Sequence, residues 1–252
     1  MTVRPFRFGL NEAPGPDTVA RARRHEKLGF DVLLAPDRPQ LASPLPVLAA
    51  AAAATERIGL GTYVLAATLH EPQSLLRELK AVLAVAGDRF QPGFGAGLDA
   101  GSAEDKRSRL QSLLEVVRGE LPAVRILVAA SGRGALGLAA RYAQTAAFSL
   151  PPQADEAEIL RRVEMLGGAA GAIELNYSLT AVGEAPAPWL ARQGVDVQAL
   201  RAARAPSVLW GDTDAMCEQL ERRRERLGIS YWTVPSAFAE TLAPVVSRLS
   251  GS

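Results

Sequence analysis

A single cysteine, Cys217, stands in 252 residues, so no intramolecular disulfide can form and the chain lacks the framework of small secreted domains. Lys and Arg total 28 against 27 Asp and Glu. A balance this even gives no field to hold nucleic acid or an anionic membrane non-specifically. Long apolar runs are also missing. The longest, 46–55, is alanine-rich and about half the length needed to cross a bilayer, so it reads as a buried helix. No charged start, apolar centre and small-residue cleavage site mark a secretory signal, and the expected compartment is the cytoplasm. No His/Cys/Asp/Glu cluster has metal-ligand spacing, and neither a nucleophile elbow nor a Walker loop occurs. Cys217 lies in a charged segment with no histidine near it in sequence, and it does not read as a nucleophile.

What the chain does have is alternation. Hydrophobic residues make up 48% of it, enough for a sizeable core, and short apolar runs alternate with helical periodicity. Strands are predicted at 6–10, 31–35, 58–65, 89–94, 124–129, 145–150, 172–182 and 229–234. Helices are predicted at 46–55, 73–85, 104–117, 135–143, 156–166, 213–227 and 238–249, with a first helix capped by Asp17 and stopped by Gly29. A proline-broken insertion with a short helix at 188–192 precedes the last helix-strand unit. Eight strands, each followed by a helical segment and with no low-complexity linker, favour one α/β domain over 1–252, a (β/α)8 TIM barrel.

The functional residues of such a barrel gather at the carboxyl ends of the strands. There the sequence offers Asp37 and Arg38, then His70 and Glu71, then the glycines Gly95 and Gly97 flanking Ala96, then Asp99. Ser131, Gly132, Arg133 and Gly134 open a helix, where free N–H groups and the helix dipole favour an anion. Each also has a plain structural account. The glycines serve tight turns, His70 serves a polar loop, Asp37 and Arg38 form a loop ion pair, and Trp210 and Trp232 fill core. The run Glu221 to Arg226 interleaves acids and bases, which marks a solvated helix face.

Several phrases, in order, carry a resemblance over nearly the whole chain: FRFGL, EKLGFDVLLAPD, ATERIGLGTYVL, GDRFQPGFGAG, SGRGALGLAARYA and GDTDAMCEQLERRRERLGISYWTV. They resemble the luciferase-like flavin and deazaflavin oxidoreductases. PLPVLAAAAAATERIGLGT and the tail are closest to a branch that uses coenzyme F-420. The resemblance implies a non-prolyl cis peptide at Tyr63–Val64, with Thr62 just before it, against the central ring of the cofactor. It places the cofactor phosphate at Ser131, Gly132, Arg133 and Gly134, the tail beside Gly95, Ala96 and Gly97, and Asp37 near the ring.

The chain departs from the resemblance in three places. Arg38 stands where many deazaflavin members have histidine, and an arginine does not titrate near neutrality. Leu98 intervenes between the fourth-strand glycines and Asp99. The stretch from Gly97 to Val124 is short, and a trimmed lid leaves the site more open, which suits a large or carrier-bound substrate or marks decayed cofactor binding; the expected partner is a small-molecule or carrier-bound organic substrate. The implied activity is F-420-dependent hydride transfer, with His70, Arg38 and Asp99 as catalytic candidates and Asn176 and Trp232 as substrate contacts. An FMN-dependent monooxygenase, or a barrel that has lost redox chemistry and acts as a binding protein, are the alternatives. The resemblance and the small-residue helix at 46–55 together give a homodimer as the expected assembly.

Overall fold

The computed structural model describes residues 4–97 and 101–252. Its main sheet runs through strands β1 (Arg7–Asn11), β2 (Val32–Ala35), β3 (Gly59–Thr62), β4 (Leu65–Ala66), β5 (Phe90–Gln91), β6 (Gly93–Gly95), β7 (Leu127–Ala130), β8 (Thr145–Phe148), β9 (Glu174–Ser178) and β13 (Ile229–Pro235). The neighbour order is β4-β6-β7-β8-β9-β13-β1-β2-β3-β5, all parallel. β3 and β4 are halves of one strand broken at the cis Tyr63–Val64 peptide. β5 and β6 are likewise halves of one strand, broken at Pro92, which has no N–H for the ladder. Leu60 pairs with Phe90 at one end of that order, and Leu65 pairs with Phe94 at the other. The two ends are therefore the same two strands, and the sheet closes on itself as a parallel barrel of eight.

Closure divides the side chains into two sets. Outward residues such as Phe8, Leu33, Leu60, Phe94, Val128 and Leu175 are buried against the surrounding helices. These helices are α1 (Thr18–Lys27), α2 (Pro44–Ala53), α3 (Pro72–Ala86), α4 (Ala103–Glu120), α5 (Arg133–Tyr142), α6 (Glu156–Leu166), α9 (Thr213–Leu227) and α10 (Ala239–Leu249). Several begin on side-chain caps. Asp155 accepts from Glu158 N at 2.7 Å and Asp212 from Ala215 N at 2.9 Å, each satisfying a helix-end donor. Asp17 sits at the predicted N-cap of α1, but its side chain makes no capping bond. Only its carbonyl is used, by Arg21 N at 2.9 Å.

The inward residues form layers. At the amino end Arg7 donates to Glu174 at 2.8 Å, Thr145 Oγ1 donates to the same carboxylate at 2.8 Å, and Gln91 Nε2 donates to Thr145 at 3.0 Å. Above them Val32, Leu34, Leu127, Ala147 and Tyr231 fill the barrel with apolar atoms. Small residues make room for large ones, as a closed eight-stranded barrel demands. A Cβ on Gly9 would lie 2.8 Å from both Leu34 and the Tyr231 hydroxyl.

One predicted strand is too long. The sequence predicts the seventh over 172–182, whereas β9 ends at Ser178 and the chain then leaves the barrel. Ala181–Val182 (β10) pairs with Ala185–Pro186 (β11) and Val208–Leu209 (β12) in a separate three-stranded sheet. With α7 (Pro188–Ala191) and α8 (Val197–Ala202) this sheet forms the insertion, which follows the carboxyl end of β9 and precedes α9. No helix among the described residues is long and apolar enough to cross a membrane.

Candidate active site

The loop after β2 carries Asp37, and its carboxylate is held by two elements. Ala66 N donates to Oδ2 at 3.2 Å, and His70 Nε2 lies 2.7 Å from the same oxygen. His70 is placed by a turn in which Leu69 N donates to Ala66 O at 2.9 Å, and by Glu71, which caps α3 through Ser74 N at 2.8 Å. Asp37 and His70 retain 9% and 18% side-chain exposure, so the pair is largely withdrawn from water yet reachable. The loop ion pair between Asp37 and Arg38 is not what forms. Asp37 turns to His70, and Arg38 is exposed, with no ion pair among the described residues.

Tyr63 roofs the barrel. Its ring packs on the apolar layer, and its hydroxyl reaches Asn176 Oδ1 at 3.1 Å and Ser178 Oγ at 3.0 Å on β9. Asn176 Nδ2 in turn donates to Thr233 Oγ1 at 2.9 Å. Burial pushes the Tyr63 phenol up from its ordinary value, against the lowering effect of the Ser178 and Thr233 hydroxyls, and it stays protonated. Asn176 therefore belongs to the floor beneath Tyr63, where it is fully buried.

Thr62 is fully buried, and its hydroxyl is consumed by the strand break. It donates to Gly93 O and accepts from Gly93 N, both at 2.8 Å, bridging β3 to β6 beside the cis bond. Its one hydrogen is committed, and the group is buried away from any ligand. Gly95 is required sterically, because a Cβ there would lie 2.6 Å from Val64 Cγ2. Ala96 packs against the core and Gly97 adopts φ +86°, a conformation that favours glycine.

Ser131, Gly132, Arg133 and Gly134 are all exposed at the start of α5. Gly132 is the N-cap and supplies no side-chain acceptor, so the first N–H groups of the helix remain open to an anion. The sequence reading missed Arg107. It crosses from α4 so closely that a Cβ on Gly134 would lie 2.7 Å from its Cδ. Only the tertiary structure brings this cation there. A cleft of about 480 Å³ lies nearby in sequence, between Thr68 and Leu69 after β4 and Lys106 and Arg109 on α4.

Trp232 does not reach the mouth. The register turns Tyr231 and Thr233 inward and Trp232 outward, where it is fully buried between Tyr177, edge-on at 6.2 Å, and the Arg223 guanidinium at 5.7 Å. Asp99 lies outside the described residues.

Residues 3–119 match the luciferase-like monooxygenase family. That segment holds the Asp37–His70 pair, the cis peptide and the fourth-strand glycines. The barrel is reproduced over its whole length by solved structures. The coenzyme F-420-dependent tetrahydromethanopterin reductase from Methanopyrus kandleri is 15% identical with a TM-score of 0.73, covering 98% of each chain. An F-420-dependent secondary alcohol dehydrogenase in complex with an F-420–acetone adduct is 14% identical at 0.73, covering 96% of this chain and 99% of that one. EDTA monooxygenase from Chelativorans sp. BNC1 is 14% identical at 0.75, covering 98% and 94%. Likeness at these identities is one of fold. No curated protein sequence matches the chain.

Proposed function

We propose that the protein is a luciferase-like oxidoreductase that passes hydride between coenzyme F-420 and an organic substrate. The Asp37–His70 pair carries this reading: a half-buried imidazole oriented by a carboxylate, in the loops on either side of the cis-bonded strand. The residues present fit a flat ring with an anionic tail. Val64 and Gly95 would hold the ring, Gly97 would lie beside it, and the uncapped start of α5 with Arg107 and Arg133 would suit the phosphate. When bound, the deazaflavin supplies the hydride acceptor or donor.

The chain's own part is position and proton handling. Asp37 accepts Nε2–H of His70, which leaves Nδ1 as the basic nitrogen, and it stabilises the imidazolium that forms when Nδ1 takes a proton from the substrate. Arg38, a permanent cation beside this pair, draws an anionic substrate without titrating. Asp99 is kept as a substrate-side candidate on the sequence reading alone.

The family description supports a second reading, an FMN-dependent monooxygenase. Equilibrium binding of F-420 and FMN to the purified protein separates the two, and binding of neither favours a barrel without redox chemistry. For assembly we propose a homodimer. Pro46, Ala50 and Ala53 on α2 are exposed, and so is Val85 on α3, with 48% exposure. These helices pack on each other, and a second copy would cover their small apolar face.

A further inference from the structure

Arg223, on α9, keeps only 6% exposure, yet its guanidinium forms no ion pair with any carboxylate among the described residues. Its Nη2 donates to Val208 O on β12 at 2.7 Å and to Gln219 Oε1 at 3.4 Å, both uncharged. Its Nη1 is buried and has no partner among the described residues. Burial pushes the guanidinium down to about 10, so it keeps its charge at neutral pH. The acids whose field reaches this region are engaged elsewhere, Glu156 with Arg226 at 2.7 Å and Glu158 with Arg162 at 3.4 Å, and Arg222 adds a like charge. The neighbours are donors as well. Tyr177 and Trp232 are register partners on β9 and β13, packed edge-on at 6.2 Å in the layer outside the barrel, and the guanidinium lies 5.7 Å from the centre of the Trp232 ring. Trp232 Nε1 and the Tyr177 hydroxyl are both buried and unpaired among the described residues. The indole N–H can only donate. Burial and the charge of Glu158 push the Tyr177 phenol up, so it keeps its proton.

We infer that Arg223, Trp232 and Tyr177 form a binding site for a small monovalent anion of the chloride class on the outer wall of the barrel. A buried charge without a counter-ion is costly, and buried donors without acceptors add to that cost. An anion answers both, accepting from Arg223 Nη1, Trp232 Nε1 and the Tyr177 hydroxyl while neutralising the guanidinium. A water molecule would relieve the donors but leave the charge, and would bring two hydrogens that need acceptors of their own. Because the same guanidinium holds Val208 O, the anion fastens β12 of the insertion to α9 and the barrel wall. The site is separate from the mouth and does not depend on which cofactor the barrel takes.

The test uses chloride and bromide on the full chain. Thermal unfolding is followed as chloride replaces gluconate at fixed ionic strength, which separates binding from screening. Wild-type Tm should climb with chloride, by roughly 5–10 °C once chloride exceeds its dissociation constant about a hundredfold. Arg223→Met, which fills the space with apolar atoms and removes the charge, should show no such dependence. Trp232→Phe, which deletes one donor and keeps an aromatic ring, should need at least about threefold more chloride for the same rise in Tm. Crystals of the wild type grown in bromide give a readout that needs no variant: an anomalous peak is expected in contact with Arg223 Nη1 and Trp232 Nε1. A wild-type Tm that is the same in chloride and gluconate overturns the inference, as does a chloride dependence that survives in Arg223→Met. So does density without anomalous signal at that place, which would show that an internal water completes the donors.

Discussion

His70 Nε2 lies 2.7 Å from Asp37 Oδ2, joining the loop after β2 to the loop after β4 on either side of the broken third strand. In sequence the two residues are candidates from separate loops; in space they are one hydrogen-bonded pair. On the proposed reading, this bond supplies the imidazole that position 38 lacks.

The pair should behave as a unit. Asp37→Asn and His70→Ala are each expected to lower the rate of hydride transfer between F-420 and the organic substrate by roughly 10²–10⁴-fold, the range of general acid–base catalysis. F-420 affinity should stay nearly intact. The double variant should be no worse than the poorer single one. Additive losses would show two independent roles.

The start of α5 gives a binding prediction with a clean control. A Cβ on Gly132 meets nothing within 4 Å, and its φ of −135° is open to any residue, so Gly132→Asp should fold normally. Its carboxylate would cap the helix and repel an anion, and titration should show F-420 affinity down by at least about tenfold, on the order of 1.4 kcal/mol. Unchanged affinity in the folded variant would remove the phosphate from this helix.

Glu26 makes stability depend on pH. Its carboxylate accepts N–H of Glu56 at 3.1 Å, Arg57 at 2.7 Å and Ile58 at 2.8 Å, tying α1 to the start of β3. Burial opposes ionisation, but these three donors win and hold its pKa below the ordinary 4.5. A lowered folded value stabilises above the unfolded pKa and is lost as pH falls through the folded one. Glu26→Gln should therefore cost about 1–2 kcal/mol in urea unfolding at pH 7. The gap should close as pH drops below 4.5. A gap independent of pH would refute the charge-based account.

Self-association is read directly by sedimentation. The dimer proposal expects a species of twice the 26.7 kDa chain mass, and Ala50→Glu on the exposed face of α2 should dissociate it by burying a charge. A monomer at micromolar concentration contradicts the proposal.

Much of the architecture was legible in the sequence because each element ends on a local signal. The predicted helices 156–166 and 213–227 coincide with α6 and α9, each preceded by an aspartate cap and followed by glycine. The seventh strand overran because one apolar stretch serves two sheets. Leu179 N still donates to Thr233 O at 2.8 Å, and only pairing partners show that Ala181 belongs elsewhere. The cis bond at Tyr63–Val64 and the open helix start followed from the resemblance and stand in the structure. Whether a side chain faces mouth or helix did not follow, since that turns on a register of one residue. Trp232 is therefore expected at the mouth although it faces α9, while Thr62, placed beside the cofactor by the resemblance, spends its hydroxyl bridging two strands. Arg107 gave no signal at all, because its place over Gly134 depends on how α4 packs on α5.

Equilibrium titration of the purified protein with F-420 and with FMN, followed by fluorescence, tests the central claim most directly. The account predicts saturable binding of F-420, tighter than FMN by at least about tenfold. Binding of FMN alone, or of neither, would contradict it.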